Sequence, residues 1–184
     1  MKRYVGMGMV RRLLMGSVFD ERRSTSYQIV FGIWAMVAVY AIAHDQYVVG
    51  IAPEHFTVYH APVWNLTGAR ALAAAWAFKA SLVPGLLLGF AALLVGRRGA
   101  RPRIRVRRLL LGAGLVIMAS ELVAAGSGFW VHQTGRGIFP DQVYPDLSGP
   151  MMVTQTIQIT CYLASAGFSA LWLVGVALWR RRQG

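Results

Sequence analysis

His44, Asp45 and Gln46 occupy consecutive positions, and Glu54, His55 and His60 follow a short way along the chain. Imidazole, carboxylate and amide groups in such proximity can exchange protons, hold a polar ligand or coordinate a transition metal. Zinc or copper would accept His44, Glu54, His55 and His60, with His132 as a distant fifth donor. The spacing does not favour a metal. His55 and His60 lie about 140° apart around a helix and on opposite faces of a strand, so regular structure separates them. Three successive helical residues point about 100° apart, so His44, Asp45 and Gln46 cannot all serve one partner. The cofactor stays unknown, with a transition metal possible but not preferred.

Lys79, Glu121 and Gln158 are polar groups inside long apolar stretches, where a full charge is costly unless it reaches water or a partner. Counted up from the basic ends of their segments, Lys79 stands roughly 24 Å and Glu121 roughly 18 Å along the helix axis. The depths predict an interhelical Lys79–Glu121 ion pair, the alternative being that Lys79 snorkels outward. Thr154, Gln158 and Cys161 share one stripe by their i, i+4, i+7 spacing and would face the same polar cavity.

The elements that must position these groups are membrane spans. The chain has 184 residues, 56% of them hydrophobic, and a mean hydropathy of +0.48, which is too apolar for a soluble domain of this length. Four apolar stretches, Ser26 to Ala43, Ala69 to Val95, Leu109 to Gly126 and Met151 to Trp179, can each cross a hydrocarbon core of about 30 Å. Leu86 to Val95 is apolar on every face, which excludes the alternating strands of a membrane barrel. The expected fold is therefore all-α: a single integral-membrane domain over residues 1–184, built as a four-helix bundle. Pro84-Gly85 should kink the second span. Residues 1–24 read as an interfacial amphipathic segment, too interrupted by Arg11-Arg12 for a signal peptide.

The formal charge of +12 is distributed at the ends of these spans. Lys2, Arg3, Arg11, Arg12, Arg22 and Arg23 precede the first; Arg97, Arg98, Arg101, Arg103, Arg105, Arg107 and Arg108 join the second to the third; Arg180 to Arg182 follow the fourth. Four crossings put all of these on one side, and the positive-inside rule makes both termini cytoplasmic. The connections Asp45 to Gly68 and Ser127 to Pro150 then form two extracytoplasmic loops. Arginines so placed set topology and meet lipid headgroups, and no recognition helix or stacking platform accompanies them, so membrane lipids are partners and nucleic acid is not. One cysteine, Cys161, excludes an intrachain disulfide and a cysteine-based zinc site.

His44-Asp45-Gln46, followed by Pro53-Glu54-His55-Phe56-Thr57, resembles a widespread family of uncharacterised bacterial four-span membrane proteins. In these a His-Asp-Gln or His-Asn-Gln end of the first helix precedes Ser-Pro-Glu-Tyr-Phe-Thr or a close variant. Ile157-Gln158-Ile159 with Cys161-Tyr162-Leu163 stands where similar proteins often carry Met-His-Asn and Ser-Tyr-Leu, so Gln158 replaces a histidine and His55 a tyrosine. The resemblance implies a four-span fold in the bacterial inner membrane and an outer-side motif. It carries no established activity.

Two functions fit. One is a non-enzymatic subunit or binding module, acting through the polar outer face and within a membrane-protein complex or homo-oligomer. The other is a small enzyme or proton-transfer protein using His44, Asp45, Glu54, Lys79 and Glu121 on a lipid-soluble substrate such as a quinone or polyprenyl compound. Pro53 at a helix start folds Glu54 back towards His44 or Asp45, predicting a carboxylate–imidazole clamp there. Walker, dinucleotide and Gly-x-Ser-x-Gly patterns are absent.

Overall fold

The computed structural model describes residues 21–183. The chain forms four long helices, α1 (Arg23–Ile51), α3 (Ala69–Arg97), α4 (Val106–Thr134) and α5 (Gly149–Arg182), with a one-turn helix, α2 (Glu54–Thr57), after the first. All four long helices have the length and apolarity to cross a membrane, and no strand occurs among the described residues. The interfacial segment expected over residues 1–24 lies mostly outside the described residues.

The helices run beyond the apolar stretches that announce them. α1 does not stop at His44; it continues two turns to Ile51, burying Val48 and Val49. It ends there because Pro53 excludes the helical region for the residue before it, and Ala52 is extended at φ −141°, ψ 88°. α4 passes Gly126 and stops at Gly135, whose φ of 65° supplies the left-handed C-terminal cap. The connections at that end therefore shrink to residues 52–68 and 135–148. Pro84 lies inside α3, which is continuous through it.

α1 packs along α3 and α4 along α5, while α1 and α5 each also touch the helix diagonal to their main partner. The α1–α3 seam depends on Gly89, where a Cβ would stand 2.7 Å from the Val30 carbonyl oxygen. One core cluster, around Ile29, Ile33, Ala92 and Leu109, fills the basic end. The other, around Val48, Phe56, Val131 and Ile157, fills the opposite end.

Arg180 does more than flank a span. Its buried guanidinium donates to the carbonyls of Val95 (2.6 Å), Arg98 (2.9 Å), Pro102 (2.9 Å) and Arg101 (3.0 Å), tying the α3–α4 loop to the end of α5. Arg97 makes a two-pronged pair with buried Glu21, both contacts 2.7 Å, and Arg103 adds a contact at 3.4 Å. These arginines hold Glu21 below the usual carboxylate range, the hydrogen bond from Arg97 acting most strongly. The described basic clusters thus converge at one end of the bundle.

Candidate functional site

Two polar clusters lie towards the other end. Tyr40 and His44 are one turn apart on α1 and so share a face. From α4, Glu121 reaches between them: its Oε2 accepts the Tyr40 hydroxyl at 2.6 Å and lies 2.7 Å from His44 Nδ1. Cys161 of α5 brings its Sγ within 3.1 Å of the Tyr40 oxygen. The carboxylate oxygen ties α4 to α1, and the Tyr40 hydroxyl ties α1 to α5.

Asp45 follows His44 and points about 100° away, so it serves a different neighbour. It is buried, and its Oδ1 accepts the Gln158 amide of α5 at 2.9 Å. Beyond it, α2 carries His55 and Phe56, and the turn after it brings His60 against Trp76 of α3. The sequence argument that His55 and His60 stay apart fails, because α2 ends at Thr57 and the chain turns back. Their rings lie 4.6 Å apart, and His60 Nδ1 donates to the His55 carbonyl at 2.6 Å. His60 also stacks on Phe56 at 5.6 Å and meets Trp76 edge-on at 5.1 Å. Burial, with a smaller contribution from His60, pushes His55 down to about 4, so it is neutral at pH 7. His44 Nε2 and His55 Nδ1 are both buried without a hydrogen-bond partner, and a buried polar atom left so is costly.

Other expected pairings are replaced. Lys79 does not meet Glu121, because α3 and α4 are diagonal in the bundle; its Nζ sits 4.6 Å from the Trp76 ring centroid, three residues back on the same helix. That is outward snorkelling with a cation–π contact. Glu54 does not clamp His44 or Asp45; Glu121 and Gln158 take those places, because the extension of α1 carries Pro53 two turns beyond His44. Gln46 is outside both clusters, exchanging hydrogen bonds with Arg70 at the start of α3. His132 is exposed in the last turn of α4. Among the described residues no three His, Cys, Asp or Glu side chains converge as metal ligands.

The clusters border three cavities that share walls. The outermost, about 300 Å³, is lined by Asp45, His55, His60, Gln155 and Gln158. The next, about 120 Å³, adds Tyr40, His44, Ser81 and Cys161. That is close to the roughly 150 Å³ that accommodates a benzene ring. The third, about 560 Å³, descends between the helices along Leu87, Leu88, Ala91, Val116 and Leu173 and is almost wholly apolar. Neither Lys nor Arg lines any of the three, so nothing there would neutralise an anionic head.

Tyr40 and Trp76 escaped the sequence reading, although Tyr40 stands one turn from His44 and Trp76 one turn from Lys79. An aromatic residue in an apolar span looks like ordinary packing until its neighbours are known. The Thr154, Gln158 and Cys161 stripe does face inward, and all three are buried. Comparison with family models, with curated proteins and with solved structures returned no match.

Proposed function

We propose that this integral membrane protein is a binding module for an uncharged, lipid-soluble molecule with a polar ring or head and an apolar tail. The observation that carries the reading is the graded run of cavities, polar beside Asp45, His55 and Gln158 and apolar beside Leu87 and Leu173. The lack of lining cations favours a neutral head over a polyprenyl phosphate. The arginine-rich end lies in the cytoplasm of a bacterial cell, as the positive-inside rule directs, and the polar cavity opens on the far side of the inner membrane. The resemblance around His44 and Pro53 is consistent with this placement. Such a module would act alone, as a homo-oligomer or as a subunit.

Mass spectrometry of organic extracts from the protein purified in mild detergent tests the reading. An apolar-tailed molecule should co-purify, and Ala91→Phe, which puts a ring into the apolar cavity, should lower its recovery while keeping the helical content. Equal recovery from both proteins refutes the reading.

A second reading has one observation in its favour. Glu121, His44 and Tyr40 form an acid–base chain beside the ring-sized chamber, the equipment for moving a proton to or from a bound quinone. Chemical conversion of the co-purifying molecule, abolished by Glu121→Gln with binding retained, would distinguish an enzyme from a carrier.

A further inference from the structure

The lipid-facing surface between α1 and α4 carries a separate groove of about 1080 Å³. It exists because α1 leans on α3 and α4 on α5, and because Gly32 and Gly114 lack side chains on its floor. A Cβ at Gly32 would stand 3.1 Å from Leu110, and one at Gly114 3.3 Å from the Met36 methyl. Phe31, Leu111, Leu115 and Met118 form its walls, each half-exposed or more among the described residues. A shallower continuation, sharing Met36, Gly114 and Met118, carries it on to Val39 and Tyr40. From Tyr27 to Tyr40 the helix rises about 20 Å, which exceeds the roughly 15 Å half-thickness of a hydrocarbon core.

The mouth at the basic end is polar, formed by Tyr27, Gln28 and Arg107. Arg107 is exposed and takes part in no ion pair or hydrogen bond among the described residues. Arg105 and Arg108 adjoin it in the chain. The one described carboxylate at that end, Glu21, is already held by Arg97 and Arg103. An apolar slot one leaflet deep, closed by an uncompensated guanidinium with a planar fork of donors, matches an anionic phospholipid and not a zwitterionic one.

We infer that the α1–α4 groove binds one anionic diacyl phospholipid, its phosphate on Arg107 and Gln28 and one acyl chain along the Gly32–Gly114 floor. The main groove shares no lining residue with the internal cavities, which hold neither Lys nor Arg.

The full-length protein, delipidated in detergent, would be titrated with phosphatidylglycerol and phosphatidylcholine of identical chains and followed by native mass spectrometry. One phosphatidylglycerol should be retained in preference to phosphatidylcholine. Arg107→Gln should weaken it about fivefold, the effect of one basic contact near a membrane surface. Arg101→Gln removes the same charge from the same end but does not line the groove, and should leave retention unchanged. Gly114→Val, placing methyl groups on the floor, should weaken both lipids while the melting temperature holds. Equal losses from Arg107→Gln and Arg101→Gln would reduce the effect to general basicity and overturn the site. So would a large gain in lipid binding on deleting residues 1–19, which would make that segment the occupant. Crosslinking of Leu115→Cys between chains in lipid would assign the face to a second copy instead.

Discussion

The pairing of His44 with Glu121, in place of the Lys79–Glu121 pair suggested by depth alone, can be decided by a thermodynamic cycle. Glu121 Oε2 accepts from Tyr40 at 2.6 Å and contacts His44 Nδ1 at 2.7 Å. His44→Phe removes one of these contacts, and since a hydrogen bond to a charged group contributes about 1.5–3 kcal/mol, a loss near 2 kcal/mol is expected. Glu121→Leu removes the acceptor for both partners and leaves a buried imidazole and phenol unsatisfied. Breaking a buried pair costs about 3–5 kcal/mol. The Glu121 side chain is 25% exposed against 4% for His44, so the lower end of that range applies. The doubly substituted protein no longer holds the orphaned imidazole, only the Tyr40 phenol, and should lose little more than Glu121→Leu alone, giving a coupling of about 2 kcal/mol. Reversible unfolding in mixed micelles with increasing sodium dodecyl sulfate would measure all four proteins. If the changes add within about 0.5 kcal/mol, or if Lys79→Met and Glu121→Leu show the larger coupling, the assigned network is wrong.

Further outcomes can be checked alongside it. His55 binds its proton less readily folded than unfolded, so the unfolded chain takes up more protons as pH falls from about 6.5 to about 4. Stability should decline across that window by at most about 3 kcal/mol, and His55→Asn should flatten the profile; an unchanged slope would show that His55 is not the group responsible. Gly89→Ala should cost about 3 kcal/mol or prevent folding, since its Cβ would meet the Val30 backbone at 2.7 Å, whereas Gly167→Ala, in open space, should be neutral or slightly stabilising. Arg180→Lys keeps the charge but cannot reach four carbonyls at once, so amide exchange of residues 98–105 should rise severalfold; retained protection would show that the guanidinium fork is dispensable. For topology, single cysteines at Ala61 or Gln133 should react with a periplasmic reagent and one at Ala100 should not, in a Cys161→Ser background; the reverse pattern would invert the proposed orientation.

Some of the site was legible in the residues because it depends on local rules. Four apolar stretches of spanning length require four helices in a bilayer, and the arginines at their ends bring one set of termini together. His44, Asp45, Gln158 and Glu121 stood out because polar groups in apolar helices are costly and need partners. The helix ends were less legible. Tyr47 to Ile51 is apolar and continues α1, but the polar His44-Asp45-Gln46 run resembles a boundary when viewed without the helices that satisfy it.

Which polar group meets which was decided by tertiary structure alone. Depth along the helix is one coordinate, and pairing needs a second, the arrangement of the helices around the bundle axis. Lys79 and Glu121 were compatible in the first and incompatible in the second, because α3 and α4 are diagonal. The same holds for Arg180, which by position is one of several flanking charges and by packing is the only described arginine inserted among four carbonyls. His55 and His60 meet for a related reason: angular spacing predicts separation within regular structure, and α2 lasts a single turn before the chain reverses. The sequence determined solvent, element type and the location of polar groups in depth, since these follow from transfer free energies and backbone hydrogen bonding residue by residue. The partners depended on close approach at Gly89 and on the turn after Thr57, and those are properties of packed backbones.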